Sequence, residues 1–300
     1  MDRVYVMELV RSFQVGELSR REFVARATLA LGSMATVNVL LAACAPGSGE
    51  RPPVVDTQAS PAAPGLSDED DLTVGIVEYP DVDGETLTGY FVRPTDRGAV
   101  PAVVVIQEWW GVDDHIKDVA RRLAREGFIT LAPDLYHGAV TTEPDEARKL
   151  VMALDMQEAV REIRQAIAFL QTLSSRSTPE IGIVGFCMGG GLALETARVQ
   201  EGLGAVVAFY GSPLASSEAA EVKAPLLGLY GAEDRGIPEQ RVRAMEAALD
   251  EAGIENEMHI YAGAGHSFFN DTRASSYHAE ASADAWQRTL AWFRAHLGSE

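Results

Sequence analysis

Residues 181–191 read Ile-Gly-Ile-Val-Gly-Phe-Cys-Met-Gly-Gly-Gly, an apolar run followed by a cluster of glycines. The apolar half predicts a buried strand, and helical periodicity follows from Met188 to Gln200. Gly185-x-Cys187-x-Gly189 matches the G-x-S-x-G turn with sulfur in place of oxygen. Small residues are needed on both sides because a sharp strand-to-helix turn would make larger neighbours collide. The segment therefore predicts a reactive cysteine at the carboxyl end of a strand.

Two other interpretations of this segment need to be weighed. A dinucleotide-binding loop has the pattern G-x-G-x-x-G and an acidic residue about 20 positions later, but its middle glycine is replaced here by Cys187. A buried structural cysteine is the common fate of this residue type, and that alternative stays open.

Short runs rich in β-branched residues alternate with helical patterns on both sides of this turn, which predicts an α/β fold. The predicted strands are 73–78, 87–93, 102–107, 128–132, 181–186, 205–210, 226–230 and 257–262. The predicted helices are 114–126, 144–155, 157–173, 188–200, 238–252 and 279–296. We expect an antiparallel hairpin followed by a mostly parallel, doubly wound sheet of about eight strands, with helices on both faces and functional residues at the carboxyl ends of the strands.

A base and an orienting acid for the cysteine are found at two later strand ends. His266 follows the strand that ends at Tyr261, and Asp234 follows the strand 226–230. Glu233 is the competing acid, but adjacent residues point apart, so only one of the two can face the histidine. We predict that Cys187, Asp234 and His266 act together, in that chain order.

Five blocks in order resemble the dienelactone hydrolase (carboxymethylenebutenolidase) family of the α/β-hydrolase fold, and they span residues 72–297. The blocks are Gln-Glu-Trp-Trp-Gly at 107–111, Pro-Asp-Leu-Tyr at 133–136, Gly-Phe-Cys-Met-Gly-Gly at 185–190, Glu-Asp at 233–234 and Gly-His-Ser-Phe at 265–268.

The resemblance implies a chemistry for these positions. A Cys-His-Asp triad made of Cys187, His266 and Asp234 attacks the carbonyl of an ester or lactone and passes through a thioester. The glutamate at Glu108 pairs with the nucleophile in the resting enzyme. The backbone N–H groups of Trp109 and Met188 form the oxyanion hole. No metal or organic cofactor is implied.

Five further residues are predicted to contact the substrate: Trp110, Tyr136, His137, Arg148 and Arg273. Family members that act on dienelactone hold its carboxylate with arginines. Here Asn270 stands near the first expected arginine, and Arg148 and Arg273 are displaced from the expected positions, so surface placement of both stays open. We therefore expect a small ester or lactone, and we do not expect the dienelactone itself.

Asp113, Asp114 and His115 are three successive residues that resemble metal ligands but cannot converge on one ion. We predict instead that they cap the helix that starts there. His115 and His137 are predicted to lie in loops near the site.

The composition excludes several classes of protein. Hydrophobic residues make up 47% and charged residues 23% of the chain, which is ordinary for a globular protein and excludes a disordered one. A net charge of −19 repels nucleic acids and anionic lipids. The two cysteines do not suggest a disulfide framework, because Cys44 follows an apolar run and Cys187 lies in a cluster of glycines.

The first 44 residues predict an export signal. Arg20 and Arg21 precede an apolar stretch without charges, which ends at Leu-Ala-Ala-Cys44. This pattern resembles a twin-arginine signal joined to a lipoprotein signal-peptidase site, with lipidation of Cys44. An uncleaved membrane anchor is the alternative. We predict export across the bacterial cytoplasmic membrane and lipid anchoring at the cell envelope, with no other contact with the membrane.

Residues 45–71, rich in proline, glycine and acidic residues, are predicted to form a linker, and residues 72–300 the catalytic domain. Two alternative functions stay open. One is a broad carboxylesterase or thioesterase, and the other is a lipid-anchored binding protein that keeps the hydrolase fold without catalysis. The sequence does not predict an oligomeric state.

Overall fold

The computed structural model describes residues 66–298, which form one nine-stranded sheet flanked by helices. The strands lie in the order β1-β2-β3-β5-β4-β6-β7-β8-β9. The predicted signal 1–44 with Cys44, and the linker up to residue 65, lie outside the described residues.

The nine strands match the eight predicted from the sequence and add one. They are β1 Ser67–Glu69, β2 Leu72–Pro80, β3 Thr86–Pro94, β4 Val100–Ile106, β5 Ile129–Pro133, β6 Arg176–Phe186, β7 Leu203–Phe209, β8 Leu226–Gly231 and β9 Asn256–Tyr261.

Seven helices lie between or after the strands of the described region. They are α1 Asp114–Arg125, α2 Pro144–Ala153, α3 Met156–Thr172, α4 Met188–Val199, α5 Ser216–Ala219, α6 Glu239–Glu251 and α7 Ala279–Leu297. Six of them were predicted with ends within two residues of those observed. Among residues 66–298, no helix combines the length and the apolar character needed to cross a lipid bilayer.

The sheet has the expected α/β-hydrolase arrangement. β2 and β3 form the predicted antiparallel hairpin, and β3 joins β5 in antiparallel orientation. From β5 across β4 to β9 all neighbours are parallel. The chain enters this parallel part at β4, adds β5 on one side and continues with β6 to β9 on the other. The carboxyl ends of β4 and β6 are therefore adjacent, at the point where the winding direction reverses.

The central strands consist of residues whose side chains are buried on both faces of the sheet. Ala102 to Ile106 in β4 are completely buried, as are Ala205 to Phe209 in β7. Strands covered by helices on both faces need apolar side chains on both faces, which accounts for the absence of polar alternation. α1 packs Ile116, Val119 and Leu123 at helical spacing into the same core.

Two elements were not predicted. Strand β1 lies inside the range predicted as linker and pairs with β2, so the sheet begins at Ser67 and not after Asp71. Backbone pairing at a sheet edge tolerates acidic side chains, because they stay in solvent and discourage further pairing. Helix α5 is a single turn of four residues, too short to produce a periodic pattern.

Two glycines allow α4 to approach the sheet at the turn after β6. A Cβ atom on Gly185 would lie 2.0 Å from the carbonyl oxygen of Gly189. A Cβ atom on Gly189 would lie 2.4 Å from the carbonyl oxygen of Gln107, at the end of β4. These backbone contacts explain the small residues on both sides of Cys187, since any side chain there would force the helix away from the sheet.

The Gly185→Ala variant should therefore be less stable, because its methyl group would overlap backbone that cannot rotate away. We expect a loss of about 2 kcal/mol in the free energy of unfolding, measured by urea denaturation. Gly98→Ala is the matched control, since a Cβ atom there meets no heavy atom within 4 Å. Equal stability of the two variants would contradict the tight approach at this turn.

Candidate active site

Cys187 lies between β6 and α4 in a strained backbone conformation. Its φ of 56° and ψ of −115° belong to a region that non-glycine residues rarely adopt. The side chain is partly exposed at the carboxyl edge of the sheet. The turn thus presents the sulfur to solvent at the place where the sequence pattern predicted it.

His266 connects the sulfur to a buried carboxylate. Its Nε2 atom is 3.1 Å from the Sγ atom of Cys187, and its Nδ1 atom is 2.6 Å from Oδ2 of Asp234. The three residues follow β6, β8 and β9, which are parallel strands of one sheet. Side chains that follow the carboxyl ends of such strands meet at one edge, which is why residues 79 positions apart come into contact.

Asp234 is the acid that faces the histidine, as predicted, and Glu233 is exposed. The side chain of Asp234 is only 2% exposed. Its Oδ1 atom accepts hydrogen bonds from the backbone N–H groups of Gly236 and Ile237, at 2.8 and 3.2 Å. Burial by itself raises the pKa of Asp234, but the hydrogen bond from His266 and these two amides outweigh it and leave the pKa below its ordinary value.

The pKa of His266 moves in the opposite direction, to about 10 from an ordinary 6.5. Burial lowers this pKa, but hydrogen bonds with Asp234 and Cys187 together with their charges raise it by more. At neutral pH the ring is therefore an imidazolium held between a carboxylate and a sulfur atom.

Glu108 is placed differently from what the resemblance implied. It is 1% exposed, and its two oxygens accept hydrogen bonds from the Tyr210 hydroxyl at 3.0 Å and from Asn270 Nδ2 at 2.7 Å. The expected pairing of Glu108 with the thiol is replaced by these two bonds, while Cys187 bonds with His266. Burial, followed by the Glu108 charge, holds the pKa of Tyr210 well above its ordinary value, so its hydroxyl stays a donor.

The two amides predicted for an oxyanion hole follow neighbouring strands of the sheet. Ile106 of β4 pairs with Gly185 of β6. Trp109 lies three residues beyond the first of these, and Met188 lies three residues beyond the second. Met188 is the first residue of α4, where backbone N–H groups have no partner within the helix. The oxyanion hole formed by these two amides stays a prediction.

A cavity of about 530 Å³ opens beside the sulfur. It is lined by Met156, Cys187, Met188, Gly191, Tyr210, Ser212, Asp234, Arg235, Gly236, Ile237 and His266. Sequence reasoning missed several of these, notably Met156, Ser212 and Arg235. Of the three, only Arg235 carried a signal, because it directly follows the predicted acid.

None of the five predicted substrate contacts is among the described residues that line this cavity. Trp110 is 4% exposed, and the Arg273 guanidinium carbon lies 3.3 Å from the centre of its ring. Cation–π stacking therefore uses both side chains within the protein. Tyr136 reaches the site indirectly, because its hydroxyl lies 3.4 Å from Sδ of Met188.

His137 and Arg148 lie outside the cavity. The His137 side chain is 64% exposed, and its Nε2 atom is 3.4 Å from the buried Glu162 carboxylate in a separate cavity. Burial raises the pKa of Glu162 to about 7, and the positive charge of His137 opposes this shift. Arg148 forms an exposed ion pair with Asp145 on α2. For Arg148 this is the surface placement that the sequence left open, and a substrate contact of His137 stays a prediction.

Asp113, the residue before α1, caps the helix as predicted, and Asp114 is the first residue of the helix. Oδ1 of Asp113 accepts a hydrogen bond from the backbone N–H of Ile116 at 3.1 Å. His115 lies within the first turn of α1 and is buried, and not in a loop as expected. Residues 66–298 contain no group of three or more histidine, cysteine, aspartate or glutamate side chains arranged to hold a metal ion.

Comparison with known proteins gives a consistent result. The model of the dienelactone hydrolase family matches residues 87–297. Relatives named "Putative carboxymethylenebutenolidase" occur in Methylorubrum extorquens, 36% identical over 76% of this chain and 83% of that protein, and in Escherichia coli K12, 35% identical over 81% and 95%. A crystal structure named "Putative Dienelactone Hydrolase" from Klebsiella pneumoniae is 34% identical, with a TM-score of 0.68, over 74% of this chain and 98% of that one.

The raised pKa of His266 can be tested by nuclear magnetic resonance of the imidazole nitrogens as a function of pH. Asp234→Asn removes one cause of the shift, and we expect the pKa of His266 to fall by about 1 to 3 units. The folded pKa lies above the ordinary value, so the stabilisation from this proton is complete below pH 6.5 and disappears as the pH rises through 10. Asp145→Asn, an exposed carboxylate on α2, should leave the titration unchanged. A wild-type pKa near 6.5 would contradict the result.

Proposed function

Because the chain belongs to the dienelactone hydrolase family and is a hydrolase of carboxylic ester or lactone bonds, we propose that it cleaves a small ester or lactone with Cys187 as the nucleophile. The observation that carries the proposal is the 3.1 Å separation of the Cys187 Sγ atom from Nε2 of His266. A nucleophile, a base in hydrogen-bond contact and a third group that orients the base are the parts required for covalent acyl transfer.

The reaction begins with attack of the sulfur on the carbonyl carbon. A new C–S bond forms, and the electron pair of the carbonyl moves to its oxygen. The imidazolium form of His266 stabilises the thiolate before the attack, and Asp234 stabilises the imidazolium. The buried Asp234 carboxylate also fixes the orientation of the ring, because Nδ1 of His266 donates its proton there.

Two backbone amides stabilise the charge that develops on the carbonyl oxygen. In the proposed reaction these are the N–H groups of Trp109, which lies beyond the end of β4, and of Met188, the first residue of α4. Removal of one preorganised donor of this kind typically lowers kcat by about 10²- to 10³-fold. The strained backbone at Cys187 maintains the position of the sulfur relative to them.

Collapse of the tetrahedral intermediate breaks the C–O bond. The departing alkoxide takes the proton from Nε2 of His266 and leaves as an alcohol, or remains attached when the substrate is a lactone. His266, now neutral, removes a proton from water, and the resulting hydroxide attacks the thioester. The C–S bond breaks, the acid product leaves, and the thiolate and imidazolium are restored.

The residues that line the cavity bear on the charge of the substrate. Apart from the imidazolium of His266, Arg235 is the one cationic side chain among the described residues that line it, and the two predicted arginines are used elsewhere. A broad carboxylesterase or thioesterase shares the same chemistry. Hydrolysis rates for esters, lactones and thioesters, each with and without a free carboxylate, would separate these possibilities.

Replacement of the nucleophile should remove the activity. We expect Cys187→Ala to lower kcat/KM for 4-nitrophenyl acetate by at least about a thousandfold, measured by release of 4-nitrophenolate. Cys44→Ala removes the other cysteine and should leave turnover unchanged in detergent extracts. A thioester adduct on Cys187 should be visible by mass spectrometry of the wild-type protein.

The alternative of a non-catalytic binding protein makes opposite predictions. Retained turnover in Cys187→Ala would exclude cysteine catalysis. A wild-type protein that neither hydrolyses the panel nor reacts faster with iodoacetamide than an exposed thiol would favour the binding protein.

We also propose that the enzyme is exported and anchored through a lipid on Cys44. The support is the pair Arg20-Arg21, the uncharged stretch after it and the sequence Leu-Ala-Ala-Cys44. A protein that folds before export would cross with Cys187 already in its site, and lipidation would block Cys44. No free partner would then remain for an unwanted disulfide.

Replacement of Arg20 and Arg21 by lysine should leave the precursor in the cytoplasm, as measured by fractionation and the mass of the chain. The lysine pair keeps the positive charge and removes only the guanidinium groups, so a charge effect alone would not block export. Unaltered extraction of an uncleaved chain with the membrane would support the alternative of an anchor.

A further inference from the structure

A second cavity adjoins the catalytic one and has no part in the mechanism above. It has a volume of about 510 Å³, within the range of about 300 to 1,000 Å³ typical of small-ligand sites. Three of its lining residues, Met156, Gly191 and Ser212, also line the cavity that contains Cys187. The two cavities therefore meet at these three residues.

The walls of the second cavity leave apolar surface uncovered. Leu214, Ala215 and Ala244 line it together with Met156, which is 43% exposed although it is a large apolar residue. An exposed methionine at the junction of two cavities offers an adaptable apolar contact.

The charged groups in this cavity already have partners. The carboxylates of Glu195 and Glu218 both lie within ion-pair distance of Arg198, at 2.6 and 3.5 Å. The Arg241 guanidinium donates to the carbonyl oxygen of Pro213 at 3.0 Å. Because these groups already have hydrogen-bond or ion-pair partners within the protein, an uncharged group can occupy the cavity without displacing any of them.

Gly191 leaves the junction open. A Cβ atom there would lie 3.7 Å from the Ser212 backbone nitrogen, which is an ordinary contact, so the position accepts a side chain without strain. A longer side chain would extend into the junction between the cavities. The absence of a side chain at this place keeps the passage free.

We infer that the second cavity is a distal subsite that binds the alkyl chain of an ester substrate while its carbonyl group lies at Cys187. This inference rests on the proposed function and adds to it that, among small esters, those with a longer alkyl chain are preferred over acetates. The chain can belong to the acyl or to the alcohol side of the ester, since both have the same apolar chemistry.

The test compares chain-length preference in the full protein. One series is 4-nitrophenyl acetate and 4-nitrophenyl octanoate, and the other is ethyl acetate and octyl acetate. Each methylene that moves from water to an apolar surface adds up to about fourfold in affinity. The wild type should prefer the long ester in at least one series, and that series identifies the side on which the chain lies.

Ala244→Trp fills the subsite from α6, where Ala244 is exposed and lines only the second cavity. We expect the ratio of kcat/KM for the long ester to that for the short ester to fall at least about tenfold. Ala247→Trp is the matched control, because Ala247 is exposed on the same helix and lines neither cavity. Gly191→Leu, with Gly191→Ala as its control, blocks the junction independently and should lower the same ratio.

The outcomes separate the two levels of the proposal. A ratio that falls in either blocking variant and in neither control supports the subsite. A wild type without chain-length preference, or a ratio unchanged in both blocking variants, overturns it while the hydrolase stands. A wild type that cleaves none of the four esters overturns the proposed function and the subsite with it.

Discussion

The contact between the start of α4 and the end of β4 is the constraint on which the site depends. Gly189 lies so close to the Gln107 carbonyl oxygen that a Cβ atom would be 2.4 Å away. This approach leaves only a sharp turn for Cys187, which accounts for its φ of 56°. It also brings the start of α4 next to the chain that leaves β4. Separation of the helix from the strand would therefore disturb the turn that carries the sulfur.

The charges of the site depend on a series of hydrogen bonds that begins at two backbone amides. Two amides hold the Asp234 carboxylate, and this ionised carboxylate in turn holds the proton on His266. The imidazolium then faces the sulfur. Net charge alone would not produce this order, since the chain has 44 acidic residues and the one that orients the ring is buried and held by backbone amides. Burial by itself works against both charged groups, so the hydrogen bonds decide the outcome.

The sequence predicted those parts of the fold and the site that depend on a local pattern of residues. Strand and helix bounds followed from apolar runs, and Cys187, Asp234 and His266 could be brought together because each follows a parallel strand. The cavity wall was not predictable in this way, since Met156 and Ser212 come from a helix start and a loop without a motif. His137 is near the site in sequence, but its side chain contacts Glu162 in another cavity. Strand β1 is too short to give a pattern.

The carboxylate of Glu108 is hydrogen-bonded by two uncharged side chains. The family resemblance places an arginine near position 270, and this chain has asparagine there. An amide donates one hydrogen bond to the carboxylate and brings no positive charge, and Tyr210 supplies the second bond in the same way. Both oxygens of Glu108 are thereby satisfied by neutral donors, and the sulfur is left to His266. Glu108 is thereby linked to the triad through Tyr210, whose ring centre lies 5.2 Å from that of the His266 imidazole.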